Sequence, residues 1–325
     1  MPSTLLYPTQ AAERDKWILS QRPERNVVDP RRPYAFFVEE ELSAAGEVVS
    51  VATVFLTNRE CAWRCLMCDL WRNTLTETVP AGAIPEQIDY ALSRLPPARQ
   101  IKLYNSGSFF DPKAIPAEDY PAIAARVCSF ERTIVECHPA LVGDVCLKFR
   151  DMLSNQLEVA MGLEIAHPEI LERLNKRMTL DQFSSAANFL LANGIDLRVF
   201  ILVQPPFIAP SESLYWAQRS LDFAFDCRAT AATLIPTRGG NGAMEASSLS
   251  GEFVPPRLEV IGAAAEYGVG LNRGRVFVDL WDVPVSPGDC AECRDQRVAR
   301  LRGMNLTQSI PPRVVCEHCE GCIES

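Results

Sequence analysis

From Val48 to about Leu280 the chain alternates between short segments with a side-chain period of two and longer segments with a period of about 3.6, and this alternation restricts the fold more than any other feature. Strand-like runs fall at Val48 to Thr57, Gln100 to Tyr104, Thr133 to Cys137, Leu157 to Ile165, Asp196 to Val203, Thr230 to Ile235 and Arg275 to Leu280. Helical spacing separates them at Pro85 to Leu95, Pro116 to Cys128, Pro168 to Leu174, Leu180 to Asn193, Ser211 to Phe225 and Pro256 to Tyr267, with Gly194 at an expected helix stop. Long connections between successive strands are what a parallel sheet requires, because parallel neighbours cannot be joined by a tight turn. The pattern predicts an α/β fold with a partial parallel (β/α)6 barrel. A doubly wound open sheet has the same local pattern, and periodicity alone does not choose between the two. Residues 1–45, rich in proline and charge without sustained periodicity, read as a loosely structured or wrapping N-terminal extension. Residues 46–283 form the expected core domain, and residues 284–325 a small Cys-rich metal-binding module.

The chain has 325 residues, 47% hydrophobic and 22% charged, enough for a sizeable core. Its net charge of -9 argues against a broad electrostatic grip on nucleic acid, although arginines gather near the N-terminus (Arg14, Arg22, Arg25) and again at Arg294, Arg297, Arg300 and Arg302. The segment from Arg294 to Arg302 reads as a helix. No apolar run approaches the roughly 18 residues of a membrane span, and the first residues lack a secretory core, so a cytoplasmic protein without a membrane partner is expected. Of twelve cysteines, eight fall into two tight groups, which suits metal binding better than disulfides. Cys128, Cys137, Cys146 and Cys227, scattered in apolar surroundings, read as buried free thiols.

The first group, Cys61-Ala62-Trp63-Arg64-Cys65-Leu66-Met67-Cys68, follows the first strand of the alternation, at the strand end where such folds carry their ligand site. Three thiols are one short of a closed zinc site, and none of His138, His167 or His318 is near in sequence. An iron–sulfur cubane held by three thiolates instead keeps one iron open to a ligand that is not protein. Later strand ends carry further polar residues: Asn105-Ser106-Gly107-Ser108, then Glu136 with His138, then Glu164, and finally Gln204 before Pro205-Pro206-Phe207. Asn175-Lys176-Arg177 stands between two helical segments. The second group, Cys290-x2-Cys293 and Cys316-x2-Cys319-x2-Cys322, suits either a zinc ribbon or a second 4Fe-4S cluster.

Cys61-x3-Cys65-x2-Cys68 resembles the signature of the radical S-adenosylmethionine superfamily, with Met67 where the family often has an aromatic residue. The order of the later motifs, and Ser106-Gly107-Ser108-Phe109-Phe110-Asp111 in particular, resembles the branch of the elongator catalytic subunit and the archaeosine synthase radical subunit. The resemblance covers roughly residues 50 to 282. It implies a partial barrel of radical SAM type, a 4Fe-4S cluster on Cys61, Cys65 and Cys68, and S-adenosylmethionine bound at the open iron. It further implies that Asn105 to Ser108 form the loop for the methionine amino group, that Glu164 accepts the ribose hydroxyls, and that Lys176 or Arg177 meets the carboxylate. Glu136 and Gln204 would border the cofactor, Gln204 near the adenine. Reductive cleavage would give a 5'-deoxyadenosyl radical that abstracts hydrogen from substrate, and no catalytic residue beyond the cluster is assigned. The implied partners are S-adenosylmethionine, an electron donor such as ferredoxin or flavodoxin, and, from the branch, a tRNA nucleoside or its precursor. The acidity points instead to a small-molecule substrate, and a non-catalytic iron–sulfur or zinc protein is the alternative from another class.

Overall fold

The computed structural model describes residues 6–319, and Cys322 lies outside the described residues. α1 (Ala11–Gln21) is followed by a hairpin of β1 (Ala35–Leu42) and β2 (Val48–Phe55), in which Leu42 pairs with Val48 and Ala35 with Phe55. Gly46 takes the φ of 79° that the turn requires. The N-terminal stretch, expected as a loosely structured or wrapping extension, contributes a helix and an edge strand. After β2 come α2 (Ala83–Leu92), β3 (Gln100–Tyr104), α3 (Tyr120–Val127), β4 (Arg132–Glu136), α4 (Asp144–Met152), β5 (Gln156–Glu164), α5 (Pro168–Arg173) and α6 (Leu180–Ala192). β6 (Asp196–Val203), α7 (Ser213–Asp226), β7 (Ala231–Pro236), α8 (Ala243–Leu249), α9 (Leu258–Gly270), β8 (Arg275–Val278) and α10 (Arg294–Thr307) complete the order. α10 continues past Arg302, where the sequence reading ends it. α4 and α8 stand where no helix is expected from the sequence, since few of their side chains are buried.

Among the described residues, eight strands lie in one sheet in chain order, antiparallel only between β1 and β2. A doubly wound sheet reverses its order at a switch point, and this one does not. The sheet curls into a half-barrel. Ile101 and Leu103 of β3, Val135 of β4, Leu157 and Val159 of β5 and Val199 and Ile201 of β6 face the main apolar core with the helices. Alternate positions point into the barrel and include a group of buried charged side chains. There Arg198 of β6 donates to Glu41 of β1 at 2.5 Å and to Glu158 of β5 at 2.6 Å, while Lys102 of β3 reaches Glu41 at 2.6 Å. Arg132 of β4 and Arg275 of β8 reach Glu158 at 3.0 and 3.3 Å. Side chains from both edges and the middle of a sheet can meet in this way only if it is strongly curved. This ionic plug sits toward the N-terminal ends of the strands, so the C-terminal ends form the open mouth. Cys137, Cys146 and Cys227 are buried free thiols, whereas Cys128, at the end of α3, is exposed.

Candidate cluster and cofactor site

Cys61, Cys65 and Cys68 lie half-buried in the loop leaving β2, at the mouth of the barrel. The loop is held from several directions. Leu66 donates its amide to Leu174 at 2.9 Å, and Asn175 donates to the carbonyl of Arg64 at 2.7 Å. Asn241, between β7 and α8, donates to the carbonyls of Leu66 at 2.7 Å and Cys68 at 3.1 Å. Glu60, next to the first cysteine, is paired with Arg22 at 2.7 Å, with Arg64 at 3.2 Å and with Arg25. Burial alone would raise the Glu60 carboxyl, and these guanidiniums reverse that and hold it below the usual range. Trp17 and Ile18 of α1 pack in one apolar cluster with Leu66, Met244 and Phe253. The N-terminal segment is thus a clamp on the cysteine loop. Glu60 is not marked by the sequence, because Arg22 and Arg25 are distant from it in the chain.

The strand-end residues converge beside the thiols. Gly107 follows β3, and a Cβ on it would stand 3.3 Å from that of Cys61. Glu136, at the end of β4, accepts the amide of Asn105 at 3.0 Å and faces those of Ser106 and Gly107. The Ser108 hydroxyl accepts the amide of His138 at 2.8 Å, tying the two strand ends together. Burial pushes the Glu136 carboxyl up to about 7, against the opposing pull of these amides and Lys176. His138 stacks on Trp63 of the cysteine loop with ring centroids 3.8 Å apart. Burial, with the nearby Lys176 charge, lowers its imidazole to about 3, so the ring is neutral.

Glu164 and Lys176 form a buried ion pair, and a Cβ on Gly162 beneath it would push both charged ends aside. Burial disfavours the Lys176 ammonium, but the Glu164 carboxylate outweighs this and keeps its pKa above the ordinary value. Arg177 turns away: it is exposed and bonded to Asp15 at 2.8 Å and to the Ala11 carbonyl at 2.7 Å. Of the two adjacent basic residues, only Lys176 faces the thiols. Gln204 is buried at the end of β6, its side chain donating to Ile208 at 3.2 Å.

Backbone strain concentrates here. Ser106, Glu164, Asn175, Arg177, Gln204 and Phe207 have φ between 55° and 73°, a region that side chains seldom occupy. Such outliers persist where surrounding structure enforces them, commonly at ligand sites. Buried polar atoms without a protein partner include both side-chain heteroatoms of Asn105 and the Thr57 and Thr237 hydroxyls, just past strand ends, and Oδ1 of Asn175, between α5 and α6. Left unsatisfied, each is costly, and a polar ligand at the mouth would satisfy them. Burial raises all three thiols, Cys65 to about 12, so bare thiolates are disfavoured and cationic iron would compensate them. The donor set therefore fits a cluster bound by Cys61, Cys65 and Cys68.

At the other end of the chain, Cys290, Cys293, Cys316 and Cys319 bring their sulfurs within 4.8 Å of one another, a group able to hold a metal. Among the described residues, no helix is long and apolar enough to cross a membrane.

Glu136→Gln is expected to flatten the pH dependence of the apoprotein's stability. A raised carboxyl pKa stabilises the fold below its unfolded value, and that contribution is lost as pH rises through about 7. The loss is on the order of 3 kcal/mol in the parent and absent in the variant, measurable by urea unfolding at pH 5 and pH 8.

No family model matches the chain. An uncharacterized protein of Methanocaldococcus jannaschii is 24% identical over 319 residues, covering 91% of this chain and 87% of its own. Archaeosine synthase subunit beta of Methanosarcina acetivorans is also 24% identical, over 295 residues, covering 85% and 84%. Among solved structures, an N-terminally truncated Elp3 of Methanocaldococcus infernus superposes with a TM-score of 0.48 at 15% identity, over 69% of this chain. This chain spans only 58% of that Elp3 chain. With a likeness to archaeosine synthase subunit beta running over 85% of its length, the chain resembles the radical S-adenosylmethionine enzymes, in the branch of the elongator catalytic subunit and the archaeosine synthase radical subunit.

Proposed function

We propose that this protein is a radical S-adenosylmethionine enzyme acting on a tRNA nucleoside or the precursor of one. The observation that carries the reading is the meeting of three half-buried thiols with the buried Lys176–Glu164 pair at the mouth of a parallel half-barrel. A 4Fe-4S cluster, when bound, supplies the electron that cleaves the sulfonium of S-adenosylmethionine to methionine and a 5'-deoxyadenosyl radical. The protein's own residues bind and orient. Lys176 offers a positive charge to the methionine carboxylate, and Glu164 accepts the ribose hydroxyls. The loop Asn105 to Ser108, backed by Glu136, presents its backbone and the unpartnered Asn105 amide to the methionine amino group. Gln204 borders the adenine. The clamp of α1 on the cysteine loop would hold Cys61, Cys65 and Cys68 in place for the cluster.

Support for the substrate class comes from the similarity to archaeosine synthase subunit beta. The protein is expected to be soluble in the cytoplasm and to receive electrons from a ferredoxin or flavodoxin. Anaerobic reconstitution, reduction with dithionite and assay of 5'-deoxyadenosine test the enzymatic reading. A reducible cluster that never yields this product would leave a non-catalytic iron–sulfur protein. Salt-sensitive binding of tRNA tests the substrate class, since phosphate contacts release counterions; salt-independent or absent binding would favour a small molecule, as the net charge of -9 does.

The two basic residues separate cleanly in a binding experiment. Lys176→Met in the cluster-loaded protein is expected to weaken S-adenosylmethionine binding at least about tenfold, the scale of one charge-assisted hydrogen bond. Arg177→Met is expected to stay within about twofold, because that side chain engages only α1 at the surface. Equal losses in equilibrium dialysis would reassign the carboxylate partner.

A further inference from the structure

We propose that Cys290, Cys293, Cys316 and Cys319 form a closed mononuclear tetrathiolate site for zinc, and that this ion latches α10 across the seam of the half-barrel. The inference is independent of the reaction at Cys61, Cys65 and Cys68.

Distance selects the metal group. Cys290 and Cys316 have their sulfurs 3.8 Å apart, as do Cys293 and Cys319. A tetrahedron with zinc–sulfur bonds of about 2.3 Å has an edge of about 3.8 Å. In a cubane each cysteine binds a different iron, so the ligand sulfurs sit outside the inorganic core and farther apart than two sulfurs on one ion. A disulfide needs its sulfurs at about 2.05 Å. Arg297, one turn into α10, donates Nε to Cys293 at 3.1 Å and approaches Cys319 with Nη2 at 3.7 Å. A guanidinium so placed offsets part of the double negative charge of a zinc tetrathiolate and orients two of its ligands.

The module has need of such a staple. From residue 284 to residue 319, the buried apolar side chains are Cys293, Leu301 and Met304. Three side chains are too few to hold a segment of this size in place unaided. Yet α10 performs a specific task. β8 is an edge of the sheet, and its outer backbone groups are paired by two α10-end amides. Asn305 accepts the Val278 amide at 2.8 Å and donates to its carbonyl at 2.9 Å. Gln308 accepts the Val276 amide at 2.6 Å and donates to its carbonyl at 2.8 Å. α10 also packs on β1, the opposite edge, so it spans the gap that the curled sheet leaves open. The chain then folds back, Arg300 holding the Pro311 carbonyl at 2.6 Å, and this return brings Cys316 and Cys319 to the start of the helix. One ion joins the approach to α10 with the strand of chain that leaves it.

The test uses the full chain purified without iron reconstitution. We expect one zinc per chain, retained when Cys61, Cys65 and Cys68 are all changed to serine, and replaceable by cobalt(II) with the intense visible bands of a tetrahedral thiolate site. Cys316→Ser is expected to lose the zinc and to speed hydrogen exchange at Val276 and Val278 at least about tenfold, leaving β4 and β5 unchanged. Asn305→Leu is expected to speed exchange at Val278 while keeping the zinc, which separates the latch from the metal should the cysteine variant not fold. Iron with a cluster spectrum in the triple serine variant, or disulfides in place of metal, would overturn the site. Zinc loss without faster exchange in folded Cys316→Ser would overturn the latch.

Discussion

Cys65→Ser is expected to reduce cleavage of S-adenosylmethionine by more than about a thousandfold, because a cubane with three protein ligands has none to spare and a serine hydroxyl is a hard, weak ligand for iron. Cys65 is the strongest choice of the three for this test. It sits beside the Lys176–Glu164 pair, and burial raises its thiol to about 12, so metal is what makes it a ligand. The measurements are iron and sulfide content after anaerobic reconstitution, the electron paramagnetic resonance signal of the reduced cluster, and 5'-deoxyadenosine formed per chain. Cys128→Ser serves as the control, since that thiol is exposed on the end of α3, and it is expected to leave all three unchanged. A Cys65→Ser protein that keeps a reducible cluster and more than a tenth of the product would remove the triplet from its assigned role. The tetrathiolate zinc should survive in this variant, which keeps loss at one metal site from being mistaken for loss at the other.

Arg198→Met is expected to cost about 3–5 kcal/mol of stability, the usual consequence of removing one partner from a buried ionic network. Arg198 is only 2% exposed, and among the described residues it alone links Glu41 of β1 to Glu158 of β5 across the barrel. Burial works to raise both carboxyls, and the surrounding cations, Arg198 foremost, hold both below the usual range instead. A depressed carboxyl contributes stability that is present above its unfolded pKa and lost as pH falls through the folded one. The variant should therefore be less stable at neutral pH and should lose less on acidification than the parent. Urea unfolding at pH 7 and pH 4 measures both effects. A destabilisation below about 1 kcal/mol at pH 7 would mean that Lys102, Arg132 and Arg275 suffice to neutralise Glu41 and Glu158.

The parallel strands were legible because their outward positions obey a local rule. Gln100 to Tyr104 and Asp196 to Val203 match β3 and β6 residue for residue, since every second side chain faces the helices and is apolar. β1 was not legible. Its Ala35-Phe36-Phe37-Val38-Glu39-Glu40-Glu41-Leu42 run looks like a surface segment, and Glu41 is buried only because Arg198 and Lys102 arrive from strands far along the chain. α4 escaped notice for a related reason: only Cys146 and Phe149 of its nine residues are buried, too few to print a helical period.

The candidate site divides along the same line. The sequence by itself determined the three thiols, the strand end on which they sit and the polar residues at later strand ends, because short spacing and strand position are local properties. Only the tertiary structure decided that Lys176 faces the thiols while Arg177 lies on α1, although the two are adjacent, because the positive φ of Arg177 and its Asp15 partner turn it outward. It likewise decided that sulfurs 26 residues apart stand at 3.8 Å at the C-terminal group. Cysteine spacing names the candidate ligands, but the distance between their sulfurs depends on how α10 docks on the sheet edges, and that docking is settled by Asn305 and Gln308 meeting the free backbone of β8.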